Sequence, residues 1–294
     1  MRVPSVASTL ALLCLFVSAA PAEFPWKAFN FLKAQGRIDS SLVQECSGLV
    51  QSLRYPDVFW ALGDSGAIGD RAVLVPVTGT GQLAQGWSGP IRLEGLKNYD
   101  WEDLALDGEG NLIIADVGNN RGRRQQLMLH FIKEPKPGDT VIHPDRTLRV
   151  HYEDQSTASA DYDCEAVFVE DGEIYFLTKR QSDKRTCLYR LDGSSTIESN
   201  PLRLVDCFDI GGTVTAADTS PNGKMVAVLT YTMLWVFTPD SASDNIFTGS
   251  IRRTPIFAWQ AEAVAFHGNN SLVIGNEGGQ LYRVDLGSLK VMRP

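Results

Sequence analysis

Helical periodicity, histidine, basic charge and long apolar runs are all scarce in this chain. Lys and Arg number 27 against 35 Asp and Glu, for a formal net charge of -8 over 294 residues. A nucleic-acid polymer needs a basic stripe, so that partner class is excluded. The apolar run Leu10–Val17 is too short to span a membrane, and no other span follows. A Walker-type phosphate loop is also absent. What remains suits a cation site or a soluble secreted protein.

The N-terminus reads as an export signal. Arg2 gives a charged start, Leu10–Val17 the apolar run, and Ser18-Ala19-Ala20-Pro21-Ala22 the small residues for cleavage. We therefore expect a signal over residues 1–22 and one domain over 23–294, secreted or periplasmic, with no membrane contact after cleavage. Four cysteines remain: Cys46, Cys164, Cys187 and Cys207. Cys187 and Cys207 fall nearly opposite on consecutive strands, where an oxidising compartment permits a bridge and a reducing one does not. Cys46 and Cys164 read as buried thiols filling space.

Short apolar or alternating runs separated by turn residues indicate an all-β chain. One stretch, Tyr-Asp-Trp-Glu-Asp-Leu-Ala at Tyr99–Ala105, recurs in weaker form as Glu45–Leu49, Tyr162–Val167, Thr213–Ala217 and Gln260–Val264. Alignment puts Ser47, Glu102, Glu165, Thr215 and Glu262 in one column. Successive members lie 55, 63, 50 and 47 residues apart, a blade-sized period. Second, third and fourth strands follow each motif. The last repeat lacks a fourth strand, while Phe31–Ile38 supplies a spare one. We therefore expect one five-bladed β-propeller whose N-terminal strand closes the last blade.

The first strand of each blade lines a propeller's channel. Residues i and i+2 of a strand share a face. On that basis Glu45, Asp100 and Asp163 form a second ring above the first. Leu49, Leu104, Val167, Ala217 and Val264 would plug the channel below it. Three glutamates converging at about 5 Å, at an effective dielectric near 20, repel by about 3 kcal/mol per pair. The total, on the order of 10 kcal/mol, matches a domain's net stability. Protons or a cation must relieve it. Calcium takes six to eight oxygen ligands, and three Glu plus two hydroxyls supply five. Zinc is disfavoured because no His or Cys joins the column.

This ordered set resembles that of the calcium-activated nucleotidases, the soluble apyrases, whose axial ligands run Ser, Glu, Glu, Ser, Glu. Here Thr215 replaces a serine and keeps the hydroxyl. Gly-Asp-Ser-Gly, Asp-Val-Gly-Asn-Asn and Asp-Cys-Glu-Ala-Val also look like motifs of bacterial secreted propellers. The resemblance implies a five-bladed fold with axial Ca2+ and a phosphorylated small-molecule ligand. Under it, Asp64 and Arg180 match residues that serve phosphate hydrolysis. From the residues themselves, Lys179, Arg180 and Arg121 could clamp phosphate oxygens, and Asp64 or Asp116 could orient a water. A serine nucleophile fails, because His130, His143, His151 and His267 lie outside the aligned columns and leave Ser65 without a base. Three readings follow: a calcium-dependent phosphohydrolase, a non-catalytic binding propeller with structural calcium, or a glycosidase using Asp100 and Asp163. Basic loops favour phosphate, and the lack of a Trp platform beyond Trp101 disfavours sugar.

Overall fold

The computed structural model describes residues 32–64, 72–124, 126–180, 182–193, 198–240 and 243–293. The expected signal, residues 1–22, lies outside them, as do Ser65, Gly66 and Gln181 of the candidate loops. Apart from two 3-10 turns, the regular elements of the described residues are strands. The all-β class holds.

The chain opens with β1 (Lys33–Arg37). A first meander follows: β2 (Cys46–Gln51), β3 (Phe59–Gly63), β4 (Val73–Val77) and β5 (Ile91–Leu93). The second is β6 (Trp101–Leu106), β7 (Asn111–Asp116), β8 (Leu127–Lys133) and, after the short β9 (Val141–Ile142), β10 (Arg146–Tyr152). The third is β11 (Cys164–Glu170), β12 (Glu173–Thr178), β13 (Thr186–Leu191) and β14 (Asn200–Phe208). The fourth is β15 (Val214–Thr219), β16 (Val226–Thr230), β17 (Met233–Thr238) and β18 (Ser250–Pro255). The fifth is β19 (Ala261–His267), β20 (Ser271–Asn276) and β21 (Gln280–Asp285), before a terminal β22 (Lys290–Arg293). Turn chemistry sets these breaks. Between β6 and β7, Asp107 accepts from the amides of Glu109 and Asn111 through Oδ1, and Gly110 takes φ 79°.

The N-terminal strand β1 pairs antiparallel with β21 and completes the fifth meander. Paired strands form four sheets rather than five separate ones. The reason is an edge contact: β10 pairs in parallel with β14 and fuses the second and third meanders into eight strands. Two other outer edges are covered likewise, β5 by β9 and β18 by β22. Covering edges removes templates for unwanted pairing.

The innermost strands pack in a cycle: β2 on β6, β6 on β11, β11 on β15, β15 on β19, and β19 back on β2. Between each consecutive pair of meanders sits one apolar cluster. Trp60, Leu74 and Leu104 anchor the first interface, and Ile113, Phe131 and Val167 the second. Phe168, Ala217 and Phe237 fill the third, Ala216, Val264 and Ile274 the fourth. Leu49, Val75, Ala263 and Val273 fill the interface joining the fifth to the first. Each fully buried side chain of this size stabilises by roughly 1.5–3 kcal/mol, before the entropy of ordering it.

This placement corrects the expected channel plug. Leu49, Leu104, Val167, Ala217 and Val264 do not face a channel; they face the preceding meander. Cys46, Trp101, Cys164, Val214 and Ala261, three residues earlier, occupy those same clusters. Residues three apart cannot share a face in a regular strand. The pairing explains it. In all five inner strands the register shifts at one residue: Ser47, Glu102, Glu165, Thr215 and Glu262. Each is the extra residue of a β-bulge, a device that re-aims one side chain. The bulges, and not simple alternation, turn these five side chains out of the packed interfaces.

Candidate metal site at the axial mouth

The bulged side chains fall into two kinds. The hydroxyls stitch neighbouring meanders together: Ser47 Oγ donates to Trp101 O at 2.8 Å, and Thr215 Oγ1 donates to Ala261 O at 2.8 Å. Both carbonyls immediately precede the next bulged glutamate, so the two bonds are equivalent. The glutamates are buried, at 4% exposure for Glu102, 3% for Glu165 and 9% for Glu262. Burial, then the Glu165 charge and the aspartates 64, 100 and 163, hold Glu102 well above the usual carboxylate range. Burial does the same for Glu165, with Lys179 pulling in the opposite direction.

A second layer comes from residues two positions earlier: Glu45, Asp100, Asp163, Thr213 and Gln260. The carbonyls of all but Thr213 fix the loops that leave the second strands. Asp64 N donates to Glu45 O at 2.9 Å, Gly118 N to Asp100 O at 3.1 Å, Lys179 N to Asp163 O at 2.8 Å and Glu277 N to Gln260 O at 3.0 Å. Glu45 and Gln260 both take φ 49°, a left-handed conformation that costs a non-glycine residue energy. Asp163 Oδ1 accepts from Asn119 N at 2.6 Å, and its buried Oδ2 has no partner among the described residues. The loops thus bring a third set of side chains, Asp64, Lys179, Tyr231 and Glu277, against the first two.

Each axial glutamate meets a different member of that set. Lys179 Nζ lies 2.8 Å from Glu165 Oε1, and the pair is buried. Burial opposes the Lys179 charge, but Glu165 outweighs it and the lysine is held above its ordinary range. Tyr231 donates its hydroxyl to Glu262 Oε1 at 2.7 Å. Gln260 Nε2 donates to Glu277 Oε2 at 2.5 Å, and burial followed by Glu262 pushes Glu277 up to about 7.

Glu102 meets carboxylates instead. Asp64, Asp100 and Glu102 each offer an oxygen, all within 4.8 Å of one another. That span fits oxygens around one cation whose ligand distances are about 2.3–2.6 Å. Burial, then Asp64, raises Asp100 to about 6, while Arg124 acts the other way. Arg124 holds the adjoining loop through Asp116 Oδ1 at 2.7 Å and Gly118 O at 2.8 Å. Gly118 leaves room for the group: a Cβ there would stand 2.2 Å from Glu102 Oε1 and 2.5 Å from Asp100 Cγ. The donors are all hard oxygens with no His or Cys among them, so they fit calcium better than a softer ion.

Of the five expected metal ligands, Glu102 joins this carboxylate group, whereas Glu165 and Glu262 hold Lys179 and Tyr231, and Ser47 and Thr215 bond backbone carbonyls. Asp64, assigned to catalysis, and Asp100, assigned to the second ring, gather around Glu102. Lys179, assigned to phosphate, is paired with Glu165. Arg180 points away into Asp183, at 2.9 and 3.1 Å, and Asp161, at 3.4 Å. Below the mouth, buried Asp103 reaches across the axis to accept from Val167 N at 2.9 Å and Ala217 N at 3.3 Å. Tyr231 and Glu277 carry a signal that alignment of the motifs alone missed. Each follows the second strand by one residue, at the repeat position of Asp64 and Lys179.

No protein-family model matches this chain, and no curated protein matches it. Among solved structures it is similar to a chain of the mitotic checkpoint complex, with a TM-score of 0.40 and 13% identity over 81% of this chain. It spans 63% of that chain. It is also similar to the PQQ-bound aldose sugar dehydrogenase of Streptomyces coelicolor, with a TM-score of 0.47 and 11% identity over 87% of this chain and 97% of that one.

Proposed function

We propose that the protein is an exported, five-bladed β-propeller that binds calcium at one mouth of its axis. The carrying observation is the convergence of Asp64, Asp100 and Glu102 against Gly118, where a side chain would displace two of the three carboxylates. Five bulged inner strands in a closed cycle, with one apolar cluster per interface, support the blade count. The Cys187–Cys207 disulfide, on directly paired residues of β13 and β14, supports an oxidising destination.

Asp64, Asp100 and Glu102 would hold the ion, with Ser47 on the neighbouring strand. Bound calcium supplies positive charge where carboxylates otherwise repel, and it can polarise an oxygen of a phosphorylated small ligand. The chain's own residues do the positioning. Gly118 admits the carboxylates, Arg124 fixes the loop that carries it, and Lys179 neutralises Glu165 so that the ion is drawn to the Glu102 side. Binding is the better-supported activity. Hydrolysis of phosphate esters would need free basic clamps, and both Lys179 and Arg180 are engaged by carboxylates.

The two readings separate in one assay. Phosphate release from nucleoside di- and triphosphates is measured with calcium and with chelator, beside the melting temperature. The binding reading predicts calcium-dependent stabilisation without turnover. Turnover that vanishes with chelator, and in Asp64→Ala with the fold intact, would restore the hydrolase.

A further inference from the structure

Beside the mouth lies a recess of about 790 Å³ with an unusual lining: Tyr231, Met233, Ile256, Phe257, Trp259 and Gln260. Its size is that of a small-molecule site. Trp259 is 82% exposed and Phe257 64%, the highest values among the exposed large apolar side chains of the described residues. Both sit on the segment that leads into β19, so the axial strand itself positions them.

The inner wall is backed by negative charge. Tyr231 donates to Glu262 at 2.7 Å and Gln260 to Glu277 at 2.5 Å, with Glu45 and Asp64 close enough to act on Glu277. Lys179 is held by Glu165 at 2.8 Å, and an Arg37 nitrogen would lie 3.7 Å from a Cβ at Gly278. Lys179 also stands 5.6 Å from the centroid of the Tyr231 ring, so that face already holds a cation, and Lys184 lies in the adjoining recess on the far side of Tyr231 and Thr232.

Aromatic faces attract a cation through their quadrupole, most strongly those of Trp. Carboxylates behind a low-dielectric wall add a field of the same preference. An anion meets repulsion there, and a neutral apolar molecule gains nothing from either. We propose that this recess binds an organic ammonium ion, an amine or quaternary nitrogen carrying a compact apolar body. The positive nitrogen faces Trp259, away from the Tyr231 ring that Lys179 covers, and the apolar part lies on Phe257, Met233 and Ile256. This site lies beside the calcium site and shares with it only the field of Asp64.

The test uses the full chain in chelator, so that failure of the calcium site leaves the result intact. Choline is titrated against its uncharged carbon isostere, followed by calorimetry and by tryptophan fluorescence. Choline should bind saturably, with the isostere weaker by about fivefold or more. Trp259→Ala should weaken choline by a similar factor, about fivefold, at an unchanged melting temperature, because the indole is exposed and packs little. Equal binding of the isostere, undiminished binding in Trp259→Ala, or no saturable binding of choline would each overturn the proposal.

Discussion

Gly118 has no side chain because two carboxylates occupy the space that one would need. Gly118→Ala forces Glu102 or Asp100 aside, since a Cβ would meet them at 2.2 and 2.5 Å. Calorimetric calcium affinity should fall by about tenfold or more, the scale seen when the support that orients a metal ligand is disturbed. Lys179 makes a sharper case, because its two possible roles predict opposite outcomes. As a phosphate clamp at a solvent-facing mouth, it could be lost at no cost to the fold. As the buried partner of Glu165 at 2.8 Å, it cannot. Removing one member of a buried pair costs about 3–5 kcal/mol while the other stays charged. Lys179→Met should therefore lower the melting temperature at pH 8 by several degrees. The loss should shrink as pH falls, because a protonated Glu165 no longer needs a counter-ion. The column of Ser47, Glu102, Glu165, Thr215 and Glu262 was legible in sequence because oxygen-bearing side chains recur at a fixed repeat position. The partner of each was not, since Lys179, Tyr231 and Asp64 reach their glutamates through the turn of each side chain at the mouth, which residue types at a repeat position do not specify. Trp259 was passed over for a related reason: exposure depends on packing, and the buried Trp101 looked the better platform.

At the level of strands, the all-β pattern was read correctly and the inner-strand geometry incorrectly. Strand positions along the chain followed from period-2 runs and turn residues. The closing role of β1 followed from one strand missing at the end and one spare at the start. Strict alternation then placed Leu49, Leu104, Val167, Ala217 and Val264 toward the axis. A bulge inserts one residue without changing composition, so nothing in a single repeat announces it. It shows only where residues three apart share a cluster, as Cys46 and Leu49 do. The short edge strands β9 and β22 were also missed, because they pair only where another meander offers an open edge. The Cys187–Cys207 bridge ties β13 to β14 across a separation of 20 residues. A loop of that size is worth about 3 kcal/mol through the unfolded state. Replacing both cysteines with serine should lower denaturant stability by roughly 2–4 kcal/mol. Calcium affinity should stay unchanged, because the bridge stands apart from Asp64, Asp100 and Glu102.

Across the whole molecule, buried acid links stability to pH. Burial raises Asp218 to about 7 at the far end of the inner strands, where it accepts from Phe266 N at 2.6 Å. Glu170 is likewise raised to about 7 by burial and Asp171, and Asp100 to about 6. A carboxyl whose folded value is raised binds its proton more tightly in the native state. Its contribution is complete below the unfolded value near 4 and is lost as pH rises through the folded value near 7. Metal-free protein should therefore melt higher at pH 5 than at pH 8. Asp218→Asn should flatten that slope while leaving calcium binding alone. Calcium should act in the opposite sense, because it binds ionised carboxylates and stabilises most at higher pH.

The most direct measurement is calorimetric titration of calcium into chelator-treated full-length protein at pH 7.5, repeated on Asp100→Asn. One saturable site, with a higher melting temperature at saturation and affinity lost in the variant, is the predicted result. Absence of saturable heat, or affinity that Asp100→Asn leaves untouched, would contradict it.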